Sequence, residues 1–128
     1  MMSEVFDEEC APLTDGYLDS LLGRKDFLAI AAFLGTDTVG GITAHILPLT
    51  RKDSAEIFIY DIAVRKSHQR QGIGRRLVAA LREHAAAAGI RDIFVAADDE
   101  DLHALDFYRA LGGTASPVTF FTFSDHER

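Results

Sequence analysis

The sequence has one cysteine, no tryptophan, three prolines and no long apolar run. The single cysteine, Cys10, excludes an internal disulfide and fits the reducing cytoplasm, where we expect the protein to reside. No basic segment followed by an apolar stretch opens the chain, so we predict no signal peptide. The apolar stretches fall short of the roughly 18 residues that a membrane-spanning helix needs, so we predict no membrane partner.

Positive charge is also scarce, because 13 Lys and Arg residues stand against 20 Asp and Glu residues, for a formal net charge of -7. This balance argues against nucleic acid or an anionic membrane as the main partner. It suits a cationic substrate, and it equally suits a protein that is merely kept soluble by its charge.

Neither a metal site nor a second domain is indicated by the sequence. The five histidines are scattered without metal-ligand spacing, so we predict no metal. A length of 128 residues with 48% hydrophobic content predicts a single globular domain over residues 1–128.

Apolar periodicity and turn residues predict alternating strands and helices along the chain. The predicted helices are 15–22, 72–88 and 102–111, and the predicted strands are 27–34, 39–47, 57–64, 92–96 and 118–123. Asp15 is the expected N-cap of the first of these helices, and Val5 and Phe6 are expected to close an earlier one. A strand, a helix and a strand in the middle imply a parallel pair, and the turn after residue 34 implies an antiparallel hairpin. The fold class is therefore α/β or α+β with a mixed sheet.

The most informative segment is the strand 57–64, which runs through a basic loop into a helix that starts at Gly72. Backbone N–H groups at a helix N-terminus have no partner inside the helix, and the helix dipole favours negative charge there. Gly72 and Gly74 allow a ligand to approach the backbone closely. Three arginines add forked donors and charge: Arg70, Arg75 and Arg76. The pattern predicts a phosphate site, with a loop whose glycines serve packing alone as the alternative.

The motif in this loop excludes two common phosphate sites. Position 77 is Leu77, so the dinucleotide fingerprint is absent, and no Gly-Lys-Ser/Thr ending marks a P-loop. The run Gln69-Arg70-Gln71-Gly72-Ile73-Gly74 instead matches the Q/R-x-x-G-x-G/A element of the GCN5-related N-acetyltransferases, the GNAT superfamily. Together, IYDIAVRKSHQRQGIG and FVAADDEDLHALDFYRALGG resemble its aminoglycoside 3-N-acetyltransferase branch, over about residues 15–123 and most densely over 56–113.

This resemblance implies a mixed, mostly antiparallel sheet with a central splayed parallel strand pair, flanked by helices. It implies acetyl-coenzyme A as co-substrate and acetyl transfer by direct attack of a primary amine of an aminoglycoside, as in antibiotic resistance. The implied pantetheine contacts are Ile62, Ala63 and Val64, and the implied pyrophosphate contacts are Gln69, Arg70, Gln71, Gly72, Ile73, Gly74 and Arg75.

The resemblance also assigns Tyr108 as the general acid that protonates the leaving thiolate. A tyrosine with an ordinary pKa of about 10 stays protonated at neutral pH and can donate. The alternative is a half-buried packing residue beside Phe107.

Carboxylates are the candidate bases, because an attacking amine must first lose a proton. The resemblance points to Asp98, and the acidic cluster 98–101 would either hold a polycationic sugar or cap the following helix. Asp61 lies within an otherwise apolar strand, so it needs either a polar cleft or a partner. The family motif keeps an aspartate there, which favours the substrate side over a structural role. Glu56 is a weaker candidate base.

The start of the chain is short against the family pattern, so we expect the first strand and part of the first helix ahead of residue 15 to be lacking. That absence would expose the edge of strand 27–34, and a homodimer with paired or exchanged strands would cover it. Two other functions stay open: acetylation of another amine, in a metabolite or a peptide, and coenzyme A binding by a truncated domain without turnover.

Overall fold

The computed structural model of the protein describes residues 13–125. The helices within this range are Asp15–Leu22 (α1), Ile73–Ala87 (α2) and Leu102–Ala110 (α3), and the strands are Phe27–Leu34 (β1), Asp37–Pro48 (β2), Ala55–Val64 (β3) and Asp92–Val95 (β4). One compact unit ends at Ala96 and holds the sheet with α1 and α2, while a second begins at Ala97 and holds α3. The earlier helix predicted to end at Val5 and Phe6 lies outside the described residues.

The four strands form one mixed sheet in the order β1-β2-β3-β4. β1 pairs with β2 and β2 with β3 in antiparallel fashion, whereas β3 and β4 are parallel. This confirms the predicted fold class, including the hairpin and the parallel pair around α2. Within residues 13–125, no helix has the length and apolarity that crossing a membrane requires.

One face of the sheet packs against α2. Leu77, Leu81 and Ala85 are the buried residues of this helix, and their spacing of four places them on one side. They join four buried strand residues in a single core cluster: Ile42, Ala44, Ile57 and Ile59. Ile73 and Val78 pack against the same cluster, so the predicted apolar side of the helix is confirmed.

A β-bulge interrupts β3 at Tyr60. Thr43 pairs with Asp61 and the next residue, Ala44, pairs with Ile59, so Tyr60 is an extra residue without a partner on β2. Such a bulge shifts the alternation of side chains by one position.

The consequence appears on either side of the bulge. Ile57 and Ile59 face α2 before it, and Ile62 and Val64 pack against the same core cluster after it. If Tyr60 were instead part of a regular ladder, strict alternation would turn the last two toward the opposite face of the sheet. The bulge therefore keeps the whole strand anchored on α2 while it approaches the loop at residues 65–72.

The helix ends are set by local capping groups. Thr14 rather than Asp15 caps α1, because its Oγ1 accepts a hydrogen bond from the Tyr17 amide at 3.1 Å. The prediction of Asp15 as the cap was wrong by one residue, since Asp15 is the first helical residue, where an acidic group is also favourable. α2 ends as predicted at Gly89, whose φ of 73° allows the chain to leave the helix.

The strand predicted at 118–123 is absent, because residues 113–124 form neither helix nor strand. Four large apolar side chains of this segment are between 74% and 97% exposed: Val118, Phe120, Phe121 and Phe123. Alternating apolar residues favour a strand only when a neighbouring strand supplies hydrogen bonds, and the pattern alone does not supply one. Leu102, predicted to face inward from α3, is 69% exposed at the first position of that helix.

A close contact at Gly40 fixes the start of α2 on the sheet. A Cβ atom at Gly40 would lie 3.1 Å from the Ala63 carbonyl oxygen and 3.1 Å from the Ile73 Cγ2 atom. A Cβ atom here would therefore crowd β2, β3 and the first turn of α2, which would have to give by a few tenths of an ångström. Nothing in the sequence pattern singled this residue out.

We expect Gly40→Ala to lower the free energy of unfolding by about 1–3 kcal/mol, because the added methyl group overpacks this contact. Denaturant unfolding measures the change. Gly16→Ala is the matched control, since a Cβ there meets nothing within 4 Å and alanine favours the helix by roughly 0.5–1 kcal/mol. Equal stability of the Gly40 variant and the native protein would mean that α2 can shift to accept the methyl group.

Candidate active site

The candidate site begins where β3 and β4 diverge. Their last pair is Ile59 with Val95, whereas β3 continues to Val64. In the described part of the chain, Asp61–Val64 therefore pairs with β2 on one side and with no strand on the other. An unpaired strand edge presents N–H and C=O groups that can bind an extended ligand with amide groups of its own.

The three residues predicted to contact pantetheine lie in this stretch. Ala63 is buried, and Ile62 and Val64 are half-buried. The Val64 carbonyl already accepts a hydrogen bond at 3.0 Å from the side-chain Nε2 of Gln69. The side chain of Gln69 thus folds back onto the strand, so that a contact of this residue with a phosphate would come from its backbone amide.

Arg65 holds the base of the loop in place. Its amide donates to the Val39 carbonyl at 2.8 Å, and its side-chain Nε donates to the Thr38 carbonyl at 2.7 Å. Both acceptors belong to the start of β2, so the loop is fixed to the sheet before it turns toward α2. No motif indicates this role, because the side chain of Arg65 bonds to a residue 27 positions away.

The loop backbone twice adopts the left-handed conformation, at Arg70 with a φ of 65° and at Gly72 with a φ of 81°. A non-glycine residue in this region costs about 1–2 kcal/mol, so the conformation of Arg70 is held by its surroundings. Left-handed residues next to right-handed ones turn successive N–H groups toward one point, which creates a concave anion site.

The amides of residues 69–75 are available for such an anion. Among residues 13–125, no backbone carbonyl accepts a hydrogen bond from any of them, and the first bonded amide of the helix is that of Arg76, at 3.0 Å from the Gly72 oxygen. The N-cap Gly72 has no side chain to cap the helix, and a Cβ at this position would meet nothing within 4 Å. Open space therefore lies beside unpaired donors at a helix N-terminus, which fits a diphosphate.

The other predicted members of this anion site surround the same loop. The side chains of Arg70, Gln71 and Arg75 are exposed, while Ile73 and Gly74 are half-buried at the start of α2. The exposed guanidinium groups add positive charge to an otherwise acidic protein. A flexible charged side chain in solvent adds less than the fixed amides, because its ordering offsets part of the attraction.

Tyr108 lies in the second unit, on α3. It is half-buried, and its ring contacts that of Phe107 at a centroid distance of 5.2 Å and an angle of 66°. Burial raises the pKa of the Tyr108 hydroxyl above its usual value, and the carboxylate of Asp101 raises it further. The hydroxyl is thus protonated at neutral pH, as a proton donor must be. The contact with Phe107 also fits the alternative, in which Tyr108 is a packing residue.

The acidic cluster ahead of α3 is organised by hydrogen bonds to the backbone. Asp101 caps the helix, because its Oδ1 accepts from the Ala104 amide at 3.1 Å, which is the structural role weighed for the cluster. Asp98 is exposed, and its Oδ1 accepts from the Glu100 amide at 3.2 Å. Asp98 therefore belongs to a turn.

Asp61 lies in the first unit, next to the bulge residue Tyr60 and opposite Thr43 on β2. It is half-buried, within the part of β3 that has no β4 neighbour. Asp61 thus lies in the same stretch of β3 as Ile62–Val64, while Asp98 and Tyr108 belong to the second unit. Residues 13–125 contain no group of three or more His, Cys, Asp or Glu that could hold a metal ion.

The family model of the acetyltransferase (GNAT) family matches residues 2–112. A crystal structure of an aminoglycoside acetyltransferase from an uncultured soil metagenomic sample, in complex with trehalose, is 32% identical with a TM-score of 0.92, over 96% of this chain and 82% of that one. A second aminoglycoside acetyltransferase from an uncultured soil metagenomic sample is 37% identical with a TM-score of 0.84, over 89% of this chain and 76% of that one.

A more distant structure, AAC(6')-Iy with a bisubstrate analogue of coenzyme A and acetylneamine, is 21% identical with a TM-score of 0.76, over 86% of this chain and 79% of that one. At that identity it supports the fold alone. No curated protein matches the sequence. The strand divergence, the loop with its unpaired amides and the match over residues 2–112 lead to one conclusion. The chain belongs to the acetyltransferase (GNAT) family.

Proposed function

We propose that the protein transfers the acetyl group of acetyl-coenzyme A to a primary amine of an aminoglycoside-type small molecule. The observation that carries the proposal is the run of unpaired amides at residues 69–75, which follows the unpaired edge of β3 directly along the chain. Members of this family use acetyl-coenzyme A, and this arrangement fits both its diphosphate and its pantetheine amides.

The proposed cofactor contacts are supported by this geometry. The amides between Gln69 and Arg75 bind the pyrophosphate, and the backbone of Ile62–Val64 binds the pantetheine. Gly72 keeps the approach to these amides open, because it places no side chain in the space beside them. Acetyl-coenzyme A supplies the acetyl group as a thioester, which the amine attacks directly.

Three side chains of the protein handle the protons and the charge of the acceptor. Tyr108 donates the proton that the leaving sulfur needs, and its raised pKa keeps that proton in place at neutral pH. Asp98 and Asp61 are the carboxylates that hold the substrate ammonium and accept a proton from it, directly or through water. No cysteine nucleophile is required, because the amine itself attacks.

The choice of an amino sugar as acceptor is supported by the relatives. One of the soil metagenomic aminoglycoside acetyltransferases, 32% identical to this chain, was crystallised with trehalose and also with sisomicin. The net charge of -7 favours a polycationic acceptor. We further propose that the protein is a single domain, works in the cytoplasm and forms a homodimer through the edge strand β1, which pairs only with β2 among the described strands.

We expect the protein to convert sisomicin to a product heavier by one acetyl group when it is incubated with acetyl-coenzyme A, as measured by mass spectrometry. The position of the acetyl group on the product then tests the 3-N assignment. Absence of product across an aminoglycoside panel, with product from another amine, would contradict the acceptor class. Binding of acetyl-coenzyme A in calorimetry with no product from any amine would identify a binding domain without turnover.

A further inference from the structure

A row of aromatic rings crosses the sheet on the face opposite α2. Its members are Phe27, His45, Phe58, Tyr60 and Phe94, called the aromatic row below. The ring centroids are 5.3 Å apart between Phe27 and His45, 5.7 Å between His45 and Tyr60, 6.0 Å between Tyr60 and Phe58, and 4.9 Å between Phe58 and Phe94. The row therefore draws on all four strands.

The strand register fixes this row. Phe27 pairs with His45, His45 pairs with Phe58, and Phe58 pairs with Phe94, so four of the rings are consecutive cross-strand partners. Their sequence neighbours point the other way, since Ile57 and Ile59 belong to the core beneath α2. The row is thus a feature of the second face of the sheet, separate from the core.

Solvent reaches the row at the end that adjoins the candidate site. Tyr60 is 65% exposed and Phe94 is 42% exposed. Tyr60 follows Ile59, the last residue of β3 that pairs with β4, so its ring lies where the strands diverge. The proposed thioester position is next to the same opening, because pantetheine would bind the following residues of β3.

Carboxylates accompany the rings on this face. Glu56 and Asp92 are cross-strand partners, each two residues from a ring of the row and thus on the same side of the sheet. Asp61 adjoins Tyr60 along the chain. None of the four strands contains a Lys or Arg, so the face has no competing cation from the strands themselves.

We propose that the aromatic row, with Glu56, Asp61 and Asp92, is the surface that binds the acceptor amino sugar. The inference rests on the proposed function and adds the residues that select the acceptor. Aromatic faces attract ammonium groups, and they offer apolar area for the C–H faces of a sugar ring. Carboxylates at the edges then pair with further ammonium groups, so the surface matches a ligand that is both ring-shaped and polycationic.

The test replaces the most exposed ring and measures the two substrates separately. We expect Tyr60→Ala to raise the KM for sisomicin by roughly three- to tenfold while the KM for acetyl-coenzyme A changes by less than about twofold. Calorimetric titration of sisomicin into the full chain measures the same loss without turnover. Tyr17→Ala is the matched control, because Tyr17 is 56% exposed and lies on α1 outside the row.

The carboxylates give a second arm. We expect Glu56→Gln to weaken sisomicin binding by roughly three- to tenfold without lowering the midpoint of thermal unfolding, because the change removes a charge and keeps the shape. Sisomicin binding that weakens more steeply with added salt in the native protein than in this variant supports the charge pairing.

Unchanged sisomicin binding in Tyr60→Ala, in a protein that still acetylates sisomicin, would overturn the surface while leaving the proposed function intact. A native protein that acetylates no amine would instead overturn the proposed function. If Tyr60→Ala or Phe94→Ala converts a dimer to a monomer in sedimentation and leaves sisomicin binding unchanged, the row is an interface between copies and the inference is wrong.

Discussion

Replacing Gly72 by glutamate is expected to weaken acetyl-coenzyme A binding by at least about 100-fold. A side chain at this position enters open space beside the unpaired amides, so the new carboxylate would occupy the place of the diphosphate. Two like charges 4 Å apart repel by about 4 kcal/mol at an effective dielectric constant of 20, and each 1.4 kcal/mol is a factor of ten. Isothermal calorimetry with acetyl-coenzyme A measures the change.

Two variants separate the effect of charge from that of the backbone. Gly89→Glu places the same side chain at the other end of α2, where φ is 73° and a Cβ also meets nothing within 4 Å. It is expected to cost a similar amount of stability and leave acetyl-coenzyme A affinity within about twofold of the native value. Gly72→Ala adds the strain of a positive φ without the charge. Native affinity in a folded Gly72→Glu variant would refute the phosphate assignment.

Tyr108→Phe is expected to lower kcat by about 100-fold, because general acid catalysis contributes a factor of this order. The affinity for acetyl-coenzyme A is expected to stay within about twofold, since the ring and its contact with Phe107 are retained. The pKa of Tyr108 is raised by burial and by Asp101, so its proton is lost only above the usual tyrosine range. The native protein therefore retains this proton donor at neutral and mildly alkaline pH.

Tyr17→Phe is the control for this substitution, because it removes a hydroxyl from an exposed tyrosine on α1. Steady-state kinetics at saturating acetyl-coenzyme A and sisomicin report kcat for both variants. A Tyr108→Phe protein with native kcat would assign the residue to packing. If Tyr108→Phe lowers both thermal stability and kcat, the acetyl-coenzyme A affinity shows whether the fold is intact. Native affinity would assign the loss of kcat to the missing hydroxyl.

Most of the secondary structure could be predicted from the sequence. β1 has the predicted bounds, Phe27–Leu34, and α2 differs from its prediction by one residue at each end. These elements have strong periodicity and are bounded by glycines whose backbone conformation ends them, as at Gly35 and Gly89. Such local signals predict an element correctly where one segment contains both the apolar periodicity and the glycine that ends it.

The features that the sequence did not predict depend on a second segment of chain. The bulge at Tyr60 is defined only by its register against β2, and the close contact at Gly40 involves atoms of β3 and α2. The segment 118–123 has the alternation of a strand, yet it forms none in the described structure. Pairing partners, close approaches and strand formation are tertiary properties, which a pattern along one segment leaves open.

The candidate site divides in the same way. The loop at residues 69–75 was found from its motif, because glycines at a helix start have a direct consequence for backbone N–H groups. The hydrogen bond of the Gln69 side chain to Val64 and the two hydrogen bonds of Arg65 depend on how the chain folds back on itself, which no motif indicates. The role of Tyr108 in turnover is tested by Tyr108→Phe, and the roles of Asp98 and Asp61 stay predictions.

The bulge in β3 links the side-chain alternation of that strand to the position of the diphosphate-binding loop. Deleting Tyr60 would leave a regular strand with Ile62 and Val64 still on the side of α2, because Tyr60 is the one residue that interrupts the alternation. Deleting Ala63 would instead turn Val64 toward the side that carries the rings. To return Val64 beneath α2, the end of the strand would have to slip by one residue, about 3.3 Å, and the loop would move with it. The end of this strand is therefore expected to tolerate substitution far better than insertion or deletion.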